Sequence, residues 1–382
     1  SIDGSNDLAF TENVAERFKS YNWHVIENIN GNDINSIQNA IEISKNELSK
    51  PSLIIADTTI GFGSPNKAGS ESAHGEPLGE EETNLTRDNL GWDYKEFEVP
   101  EDVVKHMNQI ITKGNKLEKK WKKDAENFKA ENPDQYNNVL QIMKNEFPEN
   151  WDEQLLENIK NSNEPEATRA SSGFAINLIS NSLDNLIGGS ADLTGSTNTL
   201  IKNSENFSKS TPNGKNIKFG VREHGMGGVM NGISAYGSHR VFGGTFLVFS
   251  DYMRASIRLS ALSKLNSIWI FTHDSIGLGE DGPTHQPISQ LMSLRSIPNL
   301  NVFRPADRRE TLLAWRHALN EVDKPSALIF SRQSLPDIST ISDSKIDSAT
   351  FSKGAFSVYD NSDDDPEIIL ISTGSELANT IE

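Results

Sequence analysis

Apolar residues in this chain fall into short continuous runs separated by stretches with a helical repeat. Trp23–Ile26 is one such run and predicts a strand. Asp33 then stands where a helix cap belongs, and Ile34, Ile37, Ile41 and Leu48 follow at helical spacing. Pro51 closes that helix, and Leu53–Ala56 predicts a buried strand of the parallel type. A loop rich in glycine and serine runs from Gly61 to Gly79. From residue 80 the pattern changes. Glu101–Glu131 is polar and lysine-rich, with Val103, Val104, Met107, Ile110, Ile111, Leu117 and Trp121 marking one face. It predicts a long solvated helix, continued by a helical linker to about Asn163. Lys119, Lys120, Lys122 and Lys123 could form a phosphate patch, but interleaved acids favour a solvated helix face.

Residues 166–335 alternate strand and helix signals. Helix Ala167–Ser180 leads to strand Leu186–Gly189, strand Lys218–Gly220 to helix Glu223–Ala235, and strand Arg240–Gly243 to helix Phe249–Leu262. Strand Ser267–Thr272 leads through a glycine loop to helix Pro287–Leu294, and strand Val302–Phe303 to helix Arg309–Leu319. Strand Ala327–Ser331 follows. This alternation predicts an α/β fold with a doubly wound parallel sheet, in which ligands bind beyond the carboxyl ends of the strands. Residues 336–366 are polar, and the acidic run Asp363–Asp365 reads as a surface loop. Ile368–Ser372 predicts a strand that opens a third domain.

Composition narrows the partners. The 382 residues carry 36 Lys+Arg against 54 Asp+Glu, a net charge of 36 − 54 = −18. Such a field repels nucleic acid and anionic membranes, so neither is expected as a partner, and any phosphate site must be a local basic cluster. There is no cysteine. Disulfides and thiolate metal sites are excluded, and a reducing cytoplasmic setting fits. No apolar run approaches the ~18 residues of a membrane span. Ser1 is not preceded by a methionine, and the last residues read as an unfinished helix. The chain is therefore expected to be a fragment of a longer protein.

The densest chemical signal is Phe271–Gln286, which reads FTHDSIGLGEDGPTHQ. Histidines and carboxylates follow directly on a buried strand, and the glycines permit close approach to a ligand. His273, Asp281 and His285 could also ligate a metal, but their spacing is not diagnostic. A second signal is Phe219–Met226, where Glu223 opens a helix among small residues. That glutamate could serve the helix dipole, or share a proton with a heterocycle nitrogen. Glycine-rich loops at Gly188–Ser196 and Thr59–Gly69, the latter leading to His74, suit phosphate. Arg169 and Arg332, at a helix start and a strand end, can bind phosphate in bidentate fashion or serve surface ion pairs. No GxGxxG or P-loop is present, which weakens a generic nucleotide-binding reading.

Taken together, these stretches resemble the transketolase family along the whole chain. The matching segments are Ser1–Gly4, Trp23–Ile26, Ile60–Leu78, Ala167–Arg169, Gly189–Ser196, Gly220–Met226, Gly243–Tyr252, Thr272–Pro287 and Ser331–Gln333. The resemblance implies thiamine diphosphate as cofactor, with Mg2+ (or Ca2+), and ketol transfer between sugar phosphates. It implies that Glu223 holds N1′ of the aminopyrimidine, and that Phe246, Phe249 and Tyr252 line the pyrimidine pocket. Asp192 lies near the cofactor, and Ile2 and Ile60 flank the thiazolium. His74, His273 and His285 line the substrate channel, with His74 also at the cofactor and His74 and His273 assisting proton transfer. Asp281 reads the C2 hydroxyl of the acceptor. Arg169, Ser196 and Arg332 clamp the sugar phosphate. His24, His106, His239 and His317 match no catalytic position.

The resemblance further implies a domain plan. Residues 1–100 would be the C-terminal part of a diphosphate-binding domain, 101–164 a helical linker, 165–336 a pyrimidine-binding domain, and 337–382 a linker and the start of a C-terminal domain. The family's metal ligands would lie upstream of Ser1, with none in this chain. The active site would form at the interface of a homodimer, and the fragment alone would be inactive. The alternatives are dihydroxyacetone synthase, 1-deoxyxylulose 5-phosphate synthase, and a non-catalytic partner subunit.

Overall fold

The computed structural model describes residues 6–144, 146–160, 164–342, 347–361 and 365–382. Ile2, the Ser1–Gly4 segment and part of the acidic run Asp363–Asp365 lie outside the described residues. The chain separates into two compact units, residues 1–122 and 123–382.

The first unit holds α1 (Val14–Ser20), β1 (His24–Asn30), α2 (Ile34–Asn46), β2 (Ser52–Asp57) and α3 (Glu80–Asn89). It also holds most of α4 (Glu101–Glu131). Asp33 caps α2 by accepting from the Asn35 amide at 3.1 Å. β1 and β2 pair in parallel, with His24 opposite Ser52. The parallel expectation holds, but the strands are only half-buried. Ile34 and Ile41, expected on the packed face of α2, are exposed, and Leu48 lies beyond the helix, which ends at Asn46. The predicted face of α4 is likewise exposed from Val103 to Trp121.

The second unit continues with α5 (Pro133–Met143), α6 (Glu153–Lys160), α7 (Thr168–Ser182), β3 (Leu186–Ser190), α8 (Thr194–Thr197), β4 (Asn216–Lys218) and α9 (Glu223–Tyr236). β5 (Arg240–Phe246), a 3-10 segment Leu247–Tyr252, α10 (Arg254–Leu262), β6 (Ile268–Thr272), α11 (Gln290–Arg295) and β7 (Asn301–Phe303) follow. α12 (Arg308–Asn320), β8 (Ser326–Phe330), α13 (Ser348–Phe351) and α14 (Leu377–Ile381) complete it. The strands form one parallel sheet in the order β4-β3-β5-β6-β8-β7.

Period-two alternation splits each central strand between two cores. Ile268 and Ile270 of β6 face α6, α7 and α12, where Leu155, Ile176, Ile179 and Trp315 are buried. Trp269 and Phe271 face the other way, toward Met226 and Met230 of α9 and Ile257 of α10. β3 approaches β4 so closely that a Cβ on Gly189 would stand 1.9 Å from the Ile217 carbonyl oxygen. Only glycine fits there.

Two predicted elements differ. The helix expected over Phe249–Leu262 is a 3-10 segment followed by α10, because the rings of Phe246, Phe249 and Tyr252 pack toward the sheet end. Ile368–Ser372 is not a strand: it pairs with no strand among the described residues, and Ile368–Ile371 are exposed. Apolar, β-branched sequence alone does not make a strand without a sheet edge to pair with.

Candidate active site

The site grows from the carboxyl ends of adjacent strands. His273 follows β6 directly, at φ +63°, and is 2% exposed. Its Nδ1 lies 2.9 Å from the Thr272 hydroxyl and its Nε2 lies 3.6 Å from Asp281 Oδ2. Burial, reinforced by Arg169 and countered by Asp281, lowers its pKa to about 4. The Thr272 hydroxyl can donate to or accept from Nδ1, and Nε2 faces the Asp281 carboxylate.

Two arginines arrive from neighbouring elements. Arg169 is in the first turn of α7, and Arg332 follows β8. The residues before them fasten these elements together: the Ser331 amide donates to Thr168 Oγ1 at 2.7 Å, and the Thr168 amide donates to Ser331 Oγ at 3.0 Å. Arg169 Nη1 donates to the Ser196 carbonyl at 2.8 Å. Arg332 pairs with Glu280 at 2.9 Å and reaches toward Asp281 at 3.8 Å. Desolvation lowers the pKa of Arg169, and repulsion from Arg332 adds to it. Two guanidinium groups that repel each other in this way favour an anion nearby.

An aromatic ladder forms the next wall. Phe246 stacks on His273 at 3.8 Å and on Phe249 at 5.7 Å, and Phe249 lies 5.8 Å from Tyr252. His285 meets the edges of Phe249 and Phe246 at 5.4 and 5.8 Å. Phe246 is 6% exposed, whereas Tyr252 is 66% exposed. Glu223 opens α9, whose first turn is tied to α10 by the His224 Nδ1–Ser256 Oγ contact at 2.9 Å. The Glu223 carboxylate has no hydrogen bond or ion pair among the described residues. A flat apolar wall fits an aromatic ring, and a carboxylate without a partner among the described residues can share a proton with a ring nitrogen.

Arg169, Ser196, His273, Asp281, His285 and Arg332 thus converge with Phe246, Phe249 and Tyr252. Asp192 takes φ +63° in the loop after β3 and is exposed, with no partner among the described residues. Ile60 and His74 belong to the other unit, in the loop after β2. Ile60 accepts from the Gly69 amide at 2.8 Å, and His74 is exposed at the end of a 3-10 turn. That loop is held by Glu82, which the sequence did not single out. Glu82 accepts from the Ser64 hydroxyl, and from the Asn66 amide and side chain at 2.8 and 2.9 Å. These bonds lower its pKa to about 2. No group of three or more His, Asp or Glu among the described residues could hold a metal ion, and no helix among them is long and apolar enough to cross a membrane.

Residues 1–148 match the family described as transketolase, thiamine diphosphate binding domain, and residues 164–337 match transketolase, pyrimidine binding domain. The chain is 44% identical over 384 residues to the transketolase of Bacillus subtilis, covering 100% of this chain and 57% of that protein. It is 45% identical over 380 residues to a chloroplastic transketolase of Craterostigma plantagineum, covering 99% of this chain and 72% of that one. The solved transketolase of Pichia stipitis in complex with sedoheptulose 7-phosphate aligns with a TM-score of 0.90 at 37% identity, over 100% of this chain and 56% of that chain. The chain thus spans little more than half the length of the bacterial relative. With cover of more than two thirds of the Craterostigma protein at this identity, the chain belongs to the transketolase family.

Proposed function

We propose that the complete protein transfers a two-carbon ketol unit from a ketose phosphate, such as xylulose 5-phosphate, to an aldose phosphate, such as ribose 5-phosphate or erythrose 4-phosphate. The observation that carries this reading is the pairing of Arg169 and Arg332 beside His273 in a chain of net charge −18. In so acidic a chain, two guanidinium groups beside one strand end make a local positive patch suited to a phosphate. The Pichia relative holds sedoheptulose 7-phosphate in one structure and xylulose 5-phosphate in another.

Thiamine diphosphate supplies a nucleophilic carbon and an electron sink at its thiazolium ring. Glu223 would hold the pyrimidine nitrogen and its proton, and the Phe246, Phe249 and Tyr252 rings would stack on the pyrimidine. Asp192, His74, Ile2 and Ile60 complete the cofactor contacts in this proposal. A divalent cation, magnesium or calcium, would bind the diphosphate. His273, neutral at physiological pH, can hydrogen-bond a sugar oxygen through Nε2 without placing charge in the pocket. His285 and His74 serve the same hydroxyls, and Asp281 accepts from the C2 hydroxyl of the acceptor. Arg332 exchanges the exposed Glu280 carboxylate for substrate phosphate, with Arg169 and Ser196 on the other side.

We place the active site at the interface of a homodimer, and residues 1–382 alone would then be inactive. We also propose the pentose phosphate pathway in the cytoplasm as the setting. Chloroplastic relatives favour the Calvin cycle as the second reading, which cell fractionation separates. The test is a donor panel on the protein made from its complete coding sequence. Turnover with xylulose 5-phosphate and ribose 5-phosphate, and none with pyruvate, is the expected result. Use of pyruvate would replace this reading with a deoxyxylulose phosphate synthase.

A further inference from the structure

We propose that Ser375 is a positioning residue that sets the spacing between His273 and Arg332, and so the grip on the phosphorylated donor. This rests on the ketol-transfer reading above. Ser375 lies in the turn Thr373–Glu376, beyond the residues 164–337 that match the pyrimidine-domain family. Its hydroxyl donates to Asp274 Oδ2 at 2.5 Å and accepts from Gln333 Nε2 at 3.1 Å. Asp274 is the residue after His273, and Gln333 is the residue after Arg332. One hydroxyl therefore ties together the two strand ends that carry the site.

The turn is itself held firmly. Arg304, 8% exposed in its side chain, donates to Asp274 Oδ2 from Nε at 3.0 Å and lies 2.8 Å from it through Nη2. The same guanidinium donates to the Thr373 carbonyl at 2.9 Å and pairs with both carboxylate oxygens of Glu376. Gly374 stands at φ +61°, where a Cβ would lie 2.5 Å from Arg304 Cγ. On the far side, the Gln333 amide covers Gly277 in the His273–His285 loop, and a Cβ there would lie 2.7 Å from Gln333 Nε2. Gly277 and Gly374 thus allow the loop and the turn to approach the network from opposite sides.

His273 is fixed by β6 on one side and by the Phe246 ring on the other. Beyond β8, Arg332 is held by its neighbours Ser331 and Gln333 and by the Glu280 and Asp281 carboxylates, which it would leave for a phosphate. Loss of the Ser375 hydroxyl leaves Asp274 on Arg304 but frees the Gln333 side chain, with the Gln333 carbonyl still accepting from Ser331 Oγ, so Arg332 loses an anchor while His273 keeps its own. The effect should fall on the phosphate contact and spare the contacts to sugar hydroxyls.

The experiment is steady-state kinetics of the complete, cofactor-loaded protein carrying Ser375→Ala, Gln333→Leu or Ser375→Thr. The donors are xylulose 5-phosphate and the unphosphorylated ketose erythrulose. Ser375→Ala and Gln333→Leu should each raise KM for xylulose 5-phosphate about tenfold, the size of one hydrogen bond to a charged group. KM for erythrulose and kcat for both donors should stay within about twofold of wild type, and Ser375→Thr should restore the phosphorylated donor. Equal changes for both donors, or none, would overturn the proposal. Failure of both destabilising variants to fold would also overturn it, by showing the bridge to be a stability element. A wild-type protein that uses neither donor would instead overturn the ketol-transfer reading.

Discussion

The Phe246 ring lies 3.8 Å from the His273 imidazole, centroid to centroid, at an interplanar angle of 29°. This contact covers one face of the imidazole and helps keep it dry. Burial lowers the His273 pKa to about 4. The unfolded histidine titrates near ~6.5, so between these values the unfolded chain binds a proton that the folded site excludes. Stability contributed by this group is full above pH ~6.5 and is lost as pH falls toward 4. Nitrogen-detected NMR of the His273 ring should show a neutral imidazole at pH 6 and a midpoint near 4. A midpoint near 6.5 would contradict the burial argument.

Arg332→Ala removes a charged partner of the proposed phosphate. Hydrogen bonds to charged groups are worth about 1.5–3 kcal/mol, so KM for a phosphorylated donor should rise about 10- to 150-fold. The exposed Arg332–Glu280 pair contributes little to stability, so the melting temperature should hold. Kinetics with phosphorylated and unphosphorylated donors, next to a thermal melt, check both halves.

Glu223→Gln keeps the shape and removes the proton-sharing carboxylate. General acid–base groups typically contribute 10²–10⁴-fold. We expect kcat of the complete protein to fall by about that range, with the melting temperature unchanged because the carboxylate has no partner among the described residues. Retained turnover would remove Glu223 from the cofactor assignment.

Glu82 predicts an acid-labile loop. Its bonds to Ser64 and Asn66 hold its pKa at about 2, against ~4.3 in the unfolded chain. A lowered carboxylate pKa contributes stability above pH ~4.3 that is lost as pH falls toward 2. Glu82→Gln should lower the melting temperature at pH 7 and leave it nearly unchanged at pH 2. Hydrogen exchange of the Gly61–Gly79 amides should rise in the same variant at neutral pH. Unchanged exchange would show that the loop does not depend on this carboxylate.

The sheet and its site were legible where local sequence decides. β6 and β8 are continuous apolar runs, buried throughout, and α4 begins at Glu101 and ends at Glu131 as the polar periodicity implies. His273, Asp281, His285 and Arg332 announced themselves by following such strands. The errors come from tertiary context. The aromatic run after Phe246 turns as a 3-10 segment because its rings serve the site wall. Ile368–Ser372 has strand composition but pairs with no strand among the described residues. The contacts of Glu82 with Ser64 and Asn66 span 18 and 16 residues, and that of Ser375 with Asp274 spans 101. No local pattern encodes pairs so distant in sequence, and polar residues such as Ser375 and Gln333 carry no signal until the fold assembles them.

The most direct measurement is a crystal structure of the complete protein with xylulose 5-phosphate. Its phosphate should lie between the Arg169 and Arg332 guanidinium groups at about 2.7–2.9 Å, with Glu280 displaced and His273 Nε2 on a sugar oxygen. A phosphate bound elsewhere, with the Arg332–Glu280 pair intact, would contradict the site described.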